Sequence, residues 1–259
     1  MTHSLGWEYW YVFPLAVVVA ITANASGFSG GVLFQPFFNF AIGLPIHQSI
    51  ATGVATETVG MSSGACRYLS MDRIDRNAAR LLLPAVLIGV GFGLYVFLLV
   101  PRGVLRLIVG VVVAAVAVGQ LYNAGRRRVG VRDDADLGAL RRHSWVAALA
   151  GSFSACTGTG VAEMHQPLLE YGGGLRTKRA NATAIFVEAV ADWAITCVNL
   201  SVGNLRLDIL VFSAPGVLIG AQLGALLSPY LPDRLLKSVF GLCVLGIGVV
   251  YIGMGAARP

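Results

Sequence analysis

The chain has 259 residues, of which 12% are Asp, Glu, Lys or Arg and 56% are hydrophobic, and its mean hydropathy is +0.73. A soluble domain carries about a quarter charged residues, so this composition excludes an ordinary soluble protein and indicates a polytopic membrane protein surrounded by lipid. The net charge of +6 comes from basic residues in short loops between apolar runs, which argues against a nucleic-acid partner and is typical of signals for membrane orientation.

Apolar runs follow one another along the whole chain and are predicted to be helices. Their approximate bounds are 7–25, 32–43, 46–69, 79–100, 103–122, 144–156, 162–171, 181–200, 208–228 and 235–255. A helix needs about 20 residues to cross the hydrocarbon core. The runs 32–43, 144–156 and 162–171 are therefore predicted to be half-helices.

The sequence also matches itself, without a gap, at an offset of 131 positions. The residues paired in this way, called repeat-related below, include Gln35 with Gln166, Gly43 with Gly174, Glu57 with Glu188 and Pro84 with Pro215. A purely hydrophobic bias would not supply matches of these residue types. Each half is therefore predicted to contain a broken helical hairpin followed by three transmembrane helices.

The basic residues indicate how the halves are oriented in the membrane. If both hairpins are re-entrant, each half crosses three times, the halves are inverted, and fifteen of the 19 Lys and Arg residues lie in the cytoplasm. A parallel arrangement would leave twelve there, so the positive-inside rule favours inversion. The prediction is an all-α membrane protein of two inverted repeats, 1–122 and 144–259, joined by a basic cytoplasmic linker at 123–143, with both termini outside.

Each predicted hairpin is interrupted by a glycine-rich break, at 27–31 and at 157–160. Non-helical backbone at membrane depth is tolerated where it lines a cavity, and a half-helix that begins there offers free N–H groups to an anion. The candidate substrate-binding residues are Ser29, Gly30, Gly31, Gln35, Thr52, Thr157, Thr159, Gly160, Gln166 and Thr183. Alternatively, the glycines permit close packing and each Gln satisfies the backbone near its proline.

Glu57 and Glu188 lie near the centres of the first full spans. An ionised acid there costs about 2.5 kcal/mol or more unless it faces a cavity or a partner, which favours a proton-coupling role; alternatively, both are neutral acids that lock the halves together. Asp192 follows Glu188 by one turn, but its repeat-related residue is Met61, and its role stays open. No second His or Cys lies at ligand spacing from His165, so no metal and no cofactor are predicted.

The break at 27–31, the Gln35-Pro36 pair, the Gly-x-Pro at 43–45, the Ala-Thr-Gly at 51–53 and their repetition across the linker resemble the TauE/SafE sulfite exporter family, also called toluene-sulfonate uptake permeases. The resemblance implies a multi-pass transporter of the bacterial inner membrane, built from two related halves and not an enzyme. Its partners would be lipid and a small anion such as sulfite or a sulfonate. The substrate, the direction of transport and a homodimeric state are left open.

The leading hypothesis is a secondary transporter that holds a small anion between the two breaks and alternates access by rocking one half against the other. Protons on Glu57 and Glu188 would drive it. One alternative is a passive anion channel. Another is an intramembrane serine protease, because residues 27–30 match Gly-x-Ser-Gly, although Ser29 would need a base within hydrogen-bond reach.

Overall fold

A computed structural model describes residues 7–26, 28–125, 132–159, 161–230, 241–242 and 244–253. Within these ranges the regular structure is helical, apart from one isolated β-bridge, and four helices are long and apolar enough to cross a membrane. The prediction of an all-α polytopic membrane protein is confirmed. The predicted site residue Gly160, Gly27 of the first break and residues 126–131 of the linker lie outside the described ranges.

The helices are named in chain order. The first half contains α1 (Val12–Ser26), α2 (Gly31–Pro36), α3 (Ile46–Ser70), α4 (Arg76–Leu99) and α5 (Arg102–Gly125). The rest of the chain contains α6 (Leu137–Arg142), α7 (Ser144–Thr157), α8 (Val161–Pro167), α9 (Thr177–Ser201), α10 (Leu207–Leu227) and α11 (Val244–Gly253). A π-helical turn extends α2 over Phe37–Ala41 and α8 over Leu168–Gly172.

Two elements differ from the sequence-based expectation. The predicted full span at 46–69 forms α3, but α3 is not one of the four membrane-spanning candidates, because Ser, Thr and Glu57 interrupt its apolar residues. Most of α3 is buried by other helices rather than exposed to lipid. The linker contains the unexpected helix α6, whose first turn is capped by the Asp136 carboxylate accepting from the Ala139 N–H at 3.0 Å, an arrangement that lowers the pKa of Asp136.

The helix boundaries recur at the offset found in the sequence. Helix α3 begins at Ile46 and α9 at Thr177, which is 131 positions later. The turns before these helices contain Gly43 and Gly174, both with positive φ, of 82° and 72°. Only glycine adopts this conformation without strain, so both turns depend on it.

The two halves interlock through close helix packing. A Cβ atom at Gly89 on α4 would collide with the carbonyl oxygen of Ala148 on α7, and one at Gly220 on α10 would collide with that of Val17 on α1. Both the glycines and the residues they face are repeat-related. Each half therefore packs its second long helix against the first helix of the other half, with the backbones in contact, as small residues permit.

The central helices α3 and α9 run antiparallel. Thr58 hydrogen-bonds Thr196 at 2.7 Å, and Trp193 donates its indole N–H to Ser62 at 2.9 Å, so residue numbers rise on one helix as they fall on the other. Ser62 and Trp193 are themselves repeat-related. The contact between the two central helices therefore pairs equivalent positions of the repeat.

Candidate functional site

The two helix breaks contact each other inside the protein. A Cβ atom at Gly31 would collide with the carbonyl oxygen of Gly158, in the second break, and with the carboxylate of Glu57. The Ser29 hydroxyl lies 3.4 Å from the same carbonyl oxygen. Only glycine fits at position 31, because no side chain can be placed between the two backbones.

Carboxylates from the central helices occupy the starts of both half-helices. Glu57 on α3 accepts the N–H of Gly31 at 2.9 Å and the hydroxyl of Ser29 at 2.8 Å. Its repeat-related residue, Glu188 on α9, accepts the N–H of Ala162 at 3.4 Å. Helix N-termini favour negative charge, which explains the placement. These N–H groups are therefore not free, contrary to the sequence-based expectation.

A third glutamate joins the two hairpins. Glu163 on α8 accepts the backbone N–H of Ser29 at 2.7 Å and is 4% exposed. The described hydrogen bonds of Ser29 lead to Glu57, Glu163 and Gly158 and include no histidine, so they do not supply the histidine base of the protease alternative. The second hairpin thus contributes an acid to the first break.

Glu57, Glu188 and Asp192 form a compact group, called the carboxyl trio below. Each offers one carboxyl oxygen, and these oxygens lie within 4.8 Å of one another. The three residues are 3%, 0% and 1% exposed. In the described part of the chain, one oxygen of each glutamate and both oxygens of Asp192 have no hydrogen-bond partner. The trio is therefore a buried group of three acids directly beside the breaks.

Three other predicted site residues carry unused polar atoms near the breaks. The amide of Gln35 is buried, and its oxygen would lie 3.8 Å from a Cβ atom at Gly158. The side-chain oxygen of Gln166 and the hydroxyl of Thr159 have no hydrogen-bond partner among the described residues, and the Gln35 amide lies beside the Tyr251 hydroxyl without a hydrogen bond of standard geometry. Such groups are costly to bury unless something binds them, so they remain candidates for ligand contact.

The remaining predicted residues already have structural partners. The Thr157 hydroxyl donates to the carbonyl of Phe153 at 2.7 Å, within α7. Gly30 precedes α2, and its carbonyl accepts the N–H of Phe34 at 3.0 Å. The Thr157 hydroxyl also lies 3.2 Å from the carbonyl oxygen of Thr159 in the second break, and Gly30 has no side chain, so neither residue supplies an unpartnered polar side-chain group.

Thr52 and Thr183 join loops instead of lining the breaks. The Thr52 hydroxyl accepts the N–H of Arg206 at 3.1 Å, and the repeat-related Thr183 accepts that of Asp75 at 2.9 Å. Each bond ties the first long helix of one half to the loop before the second long helix of the other half. Both hydroxyls therefore hold loops in place through these hydrogen bonds instead of facing the breaks.

A cavity of about 430 Å³ lies beside the site, between α5, α7 and α8. Its walls are apolar, with Val112, Val116, Phe153 and Met164 among them, and Glu163 is the acid at its surface. His165 is fully buried, and neither ring nitrogen has a hydrogen-bond partner among the described residues. His165 is not among the residues that line this cavity.

Comparison with known proteins gives one match. A family model described as "Sulfite exporter TauE/SafE" matches residues 12–251, nearly the whole chain. The matched range includes both breaks and the carboxyl trio. No curated protein and no solved structure matches the chain significantly.

Proposed function

The chain belongs to the sulfite exporter TauE/SafE family, and on that premise we propose that it is a secondary transporter of a small anion such as sulfite or a sulfonate. The observation that carries this proposal is the contact between the two helix breaks at Gly31 and Gly158, beside buried carboxyls. Discontinuous helices that meet inside the membrane form the substrate sites of many transporters. We place the protein in the inner membrane of a bacterium.

The packing supports inverted halves. If α3 and α9 both cross the membrane, their antiparallel contact, with Thr58 bonded to Thr196 and Ser62 to Trp193, means that the two halves enter from opposite sides. A pseudo-two-fold axis in the membrane plane would relate the inward-open state to the outward-open state by exchanging the conformations of the two halves. The groups of helices that move against each other during transport would then each contain helices from both halves, because α4 packs on α7 and α10 packs on α1.

Proton binding explains how an anion enters an acidic site. While Glu57 and Glu188 are ionised, they hold the N–H groups of the half-helices and repel an anion. When both are protonated, the repulsion ends and their hold on the N–H groups of Gly31 and Ala162 weakens. An oxyanion can then accept these donors, so the anion and the protons bind together and move in the same direction.

The test is flux into proteoliposomes across a panel of anions, with and without a pH gradient. We expect saturable flux with counterflow for at least one small oxyanion, stimulated by the gradient. Glu57→Gln and Glu188→Gln should each lower gradient-driven flux at least tenfold while substrate binding persists. Unchanged proton coupling in both variants would remove these residues from the mechanism, and flux without saturation or counterflow would indicate a passive channel.

Glu170→Gln is the matched control. Glu170 is also a buried acid, but it accepts the hydroxyl of Thr177 at 2.6 Å and is outside the carboxyl trio. Gradient-driven flux by this variant should stay within about twofold of the unmodified protein. A comparable loss in Glu170→Gln would mean that neutralising any buried acid damages the protein.

A further inference from the structure

We propose that the carboxyl trio binds one hard cation of the size of Na⁺ or Ca²⁺. Glu57 on α3 and both Glu188 and Asp192 on α9 would supply its ligands. The inference rests on the proposed function in one respect, since it adds a cation to the occupants of the transport site. Spacing along the sequence does not reveal such a site, because its ligands come from helices more than 100 residues apart.

The oxygen separations suit an ion of this size. Oxygens that surround one Ca²⁺ at 2.3–2.6 Å are at most about 5 Å apart, and the three carboxyl oxygens lie within 4.8 Å of one another. Mg²⁺ needs shorter bonds of about 2.0–2.1 Å in near-ideal octahedral geometry. Na⁺ has nearly the ionic radius of Ca²⁺, so the geometry favours these two ions over Mg²⁺.

Asp192 provides the second observation that points to a ligand. It is 1% exposed, one of its oxygens belongs to the trio, and neither oxygen has a hydrogen-bond partner in the described part of the chain. Each glutamate, in contrast, gives one oxygen to a half-helix N–H and keeps the other without a partner. Each of the three buried side chains therefore has at least one oxygen without a described partner, and each also places one carboxyl oxygen in the close group, as ligands of a common ion would.

Among the described residues, no ion pair neutralises the trio. The ion pairs among the described residues lie elsewhere and involve Arg132, Arg176, Arg179 and Arg206. A buried carboxylate stays ionised only beside a partner charge or a metal ion, and otherwise it takes up a proton. The ligand set is all carboxylate, without Cys or His, which favours a hard cation over Zn²⁺ or Cu²⁺.

A bound cation would also change how the site treats an anion. With the negative charge of the trio neutralised by the cation, the repulsion that ionised acids exert on an oxyanion near the breaks is removed. Cation and anion should then raise each other's affinity by the same factor. The cation thus becomes a second coupling ion beside the proton.

The test is equilibrium binding to the purified full chain in detergent, in a buffer with choline as its cation. Isothermal titration with NaCl and, in a separate arm, with CaCl₂ should show one site per chain for at least one ion. Asp192→Asn should weaken its affinity at least tenfold, and Asp192→Glu should restore part of it. Glu170→Gln, which alters a buried acid outside the trio, should leave the affinity unchanged.

Absence of binding by both ions, or equal binding by Asp192→Asn, would overturn the proposal. If Asp192→Asn does not fold, Glu57→Gln replaces it with the same expected loss. Because binding is measured without transport, the two proposals fail separately. If anion flux depends on Glu57 but no cation binds, the proposed transport function holds and the cation site is refuted. If a cation binds but no anion is transported, the cation site holds and the proposed transport function is refuted.

Discussion

In the first hairpin the half-helix α2 carries Val32 and Phe34, whereas the repeat-related positions on α8 in the second hairpin are Glu163 and His165. Val32 and Phe34 pack into apolar cores, while the two residues of α8 are equally buried but polar. The central helices differ in the same way, since α9 carries Asp192 where α3 carries an apolar Met. The halves thus share a framework, and the second half adds the polar chemistry.

The comparison of the two halves rests on their being inverted relative to each other. Evidence that both halves have the same orientation would contradict it most directly. Met71 and Val202 are repeat-related and follow α3 and α9 directly. In a background without native cysteines, a membrane-impermeant maleimide should label Val202→Cys on intact cells and Met71→Cys only after permeabilisation. We expect an all-or-none difference, because inversion places the two turns on opposite faces. Labelling of both from one side would refute inversion.

The shared framework predicts equal damage at equivalent glycines. Gly89→Ala and Gly220→Ala each push a methyl group into the backbone of a neighbouring helix, so each should cost about 3 kcal/mol or more. Thermal unfolding in detergent measures the loss. Gly91→Ala on the same helix meets nothing within 4 Å and should be neutral or slightly stabilising. Damage in only one half would show that the packing is not reciprocal.

The role of the polar residues that occur only in the second hairpin is tested by replacing one of them with its apolar counterpart from the first hairpin. His165→Phe introduces the residue found at position 34 and removes a buried ring whose nitrogens have no described partner. Stability should rise by about 1 kcal/mol, since an unsatisfied buried polar group is lost, while anion flux falls. Thermal unfolding and proteoliposome flux read the two effects. Unchanged flux would show that transport does not need the imidazole ring of His165.

The smallest effect is expected at the paired threonines. Thr52→Val and Thr183→Val each leave a loop N–H without its acceptor, which costs about 1 kcal/mol. Both should destabilise equally and keep flux within twofold, because the hydroxyls bind loops. Ser201→Ala, at an exposed hydroxyl, should show neither effect. A selective loss of substrate affinity in either Thr variant would indicate that the replaced threonine contacts the substrate.

Much of the framework could be predicted from local signals. The matching Gly, Pro, Gln and Glu residues show the 131-residue offset, and the short apolar runs show the half-helices, because both are properties of neighbouring residues. Buried Glu57 and Glu188 are conspicuous, since acids are rare within apolar spans. The all-α membrane class and the family were predicted for these reasons.

The arrangement of the site could not be predicted, because it depends on how distant helices cross. Periodicity shows which face of a helix is polar, but not that Glu57 reaches the start of α2 or that Asp192 reaches Glu57. Asp192 was also obscured by the repeat, since its counterpart Met61 is apolar. Likewise, the hydroxyl of Thr52 is used by a loop 154 residues away.

The reciprocal packing of α1 on α10 and of α4 on α7 has a consequence for biosynthesis. Helix α1 leaves the ribosome well before its partner, because the glycine-lined surface that it packs against begins almost 200 residues later, at Leu207. At about 5–20 residues per second, α1 waits roughly 10–40 s for its partner. The nascent first half must be protected in the bilayer during this interval, which makes it a natural client for an insertion chaperone.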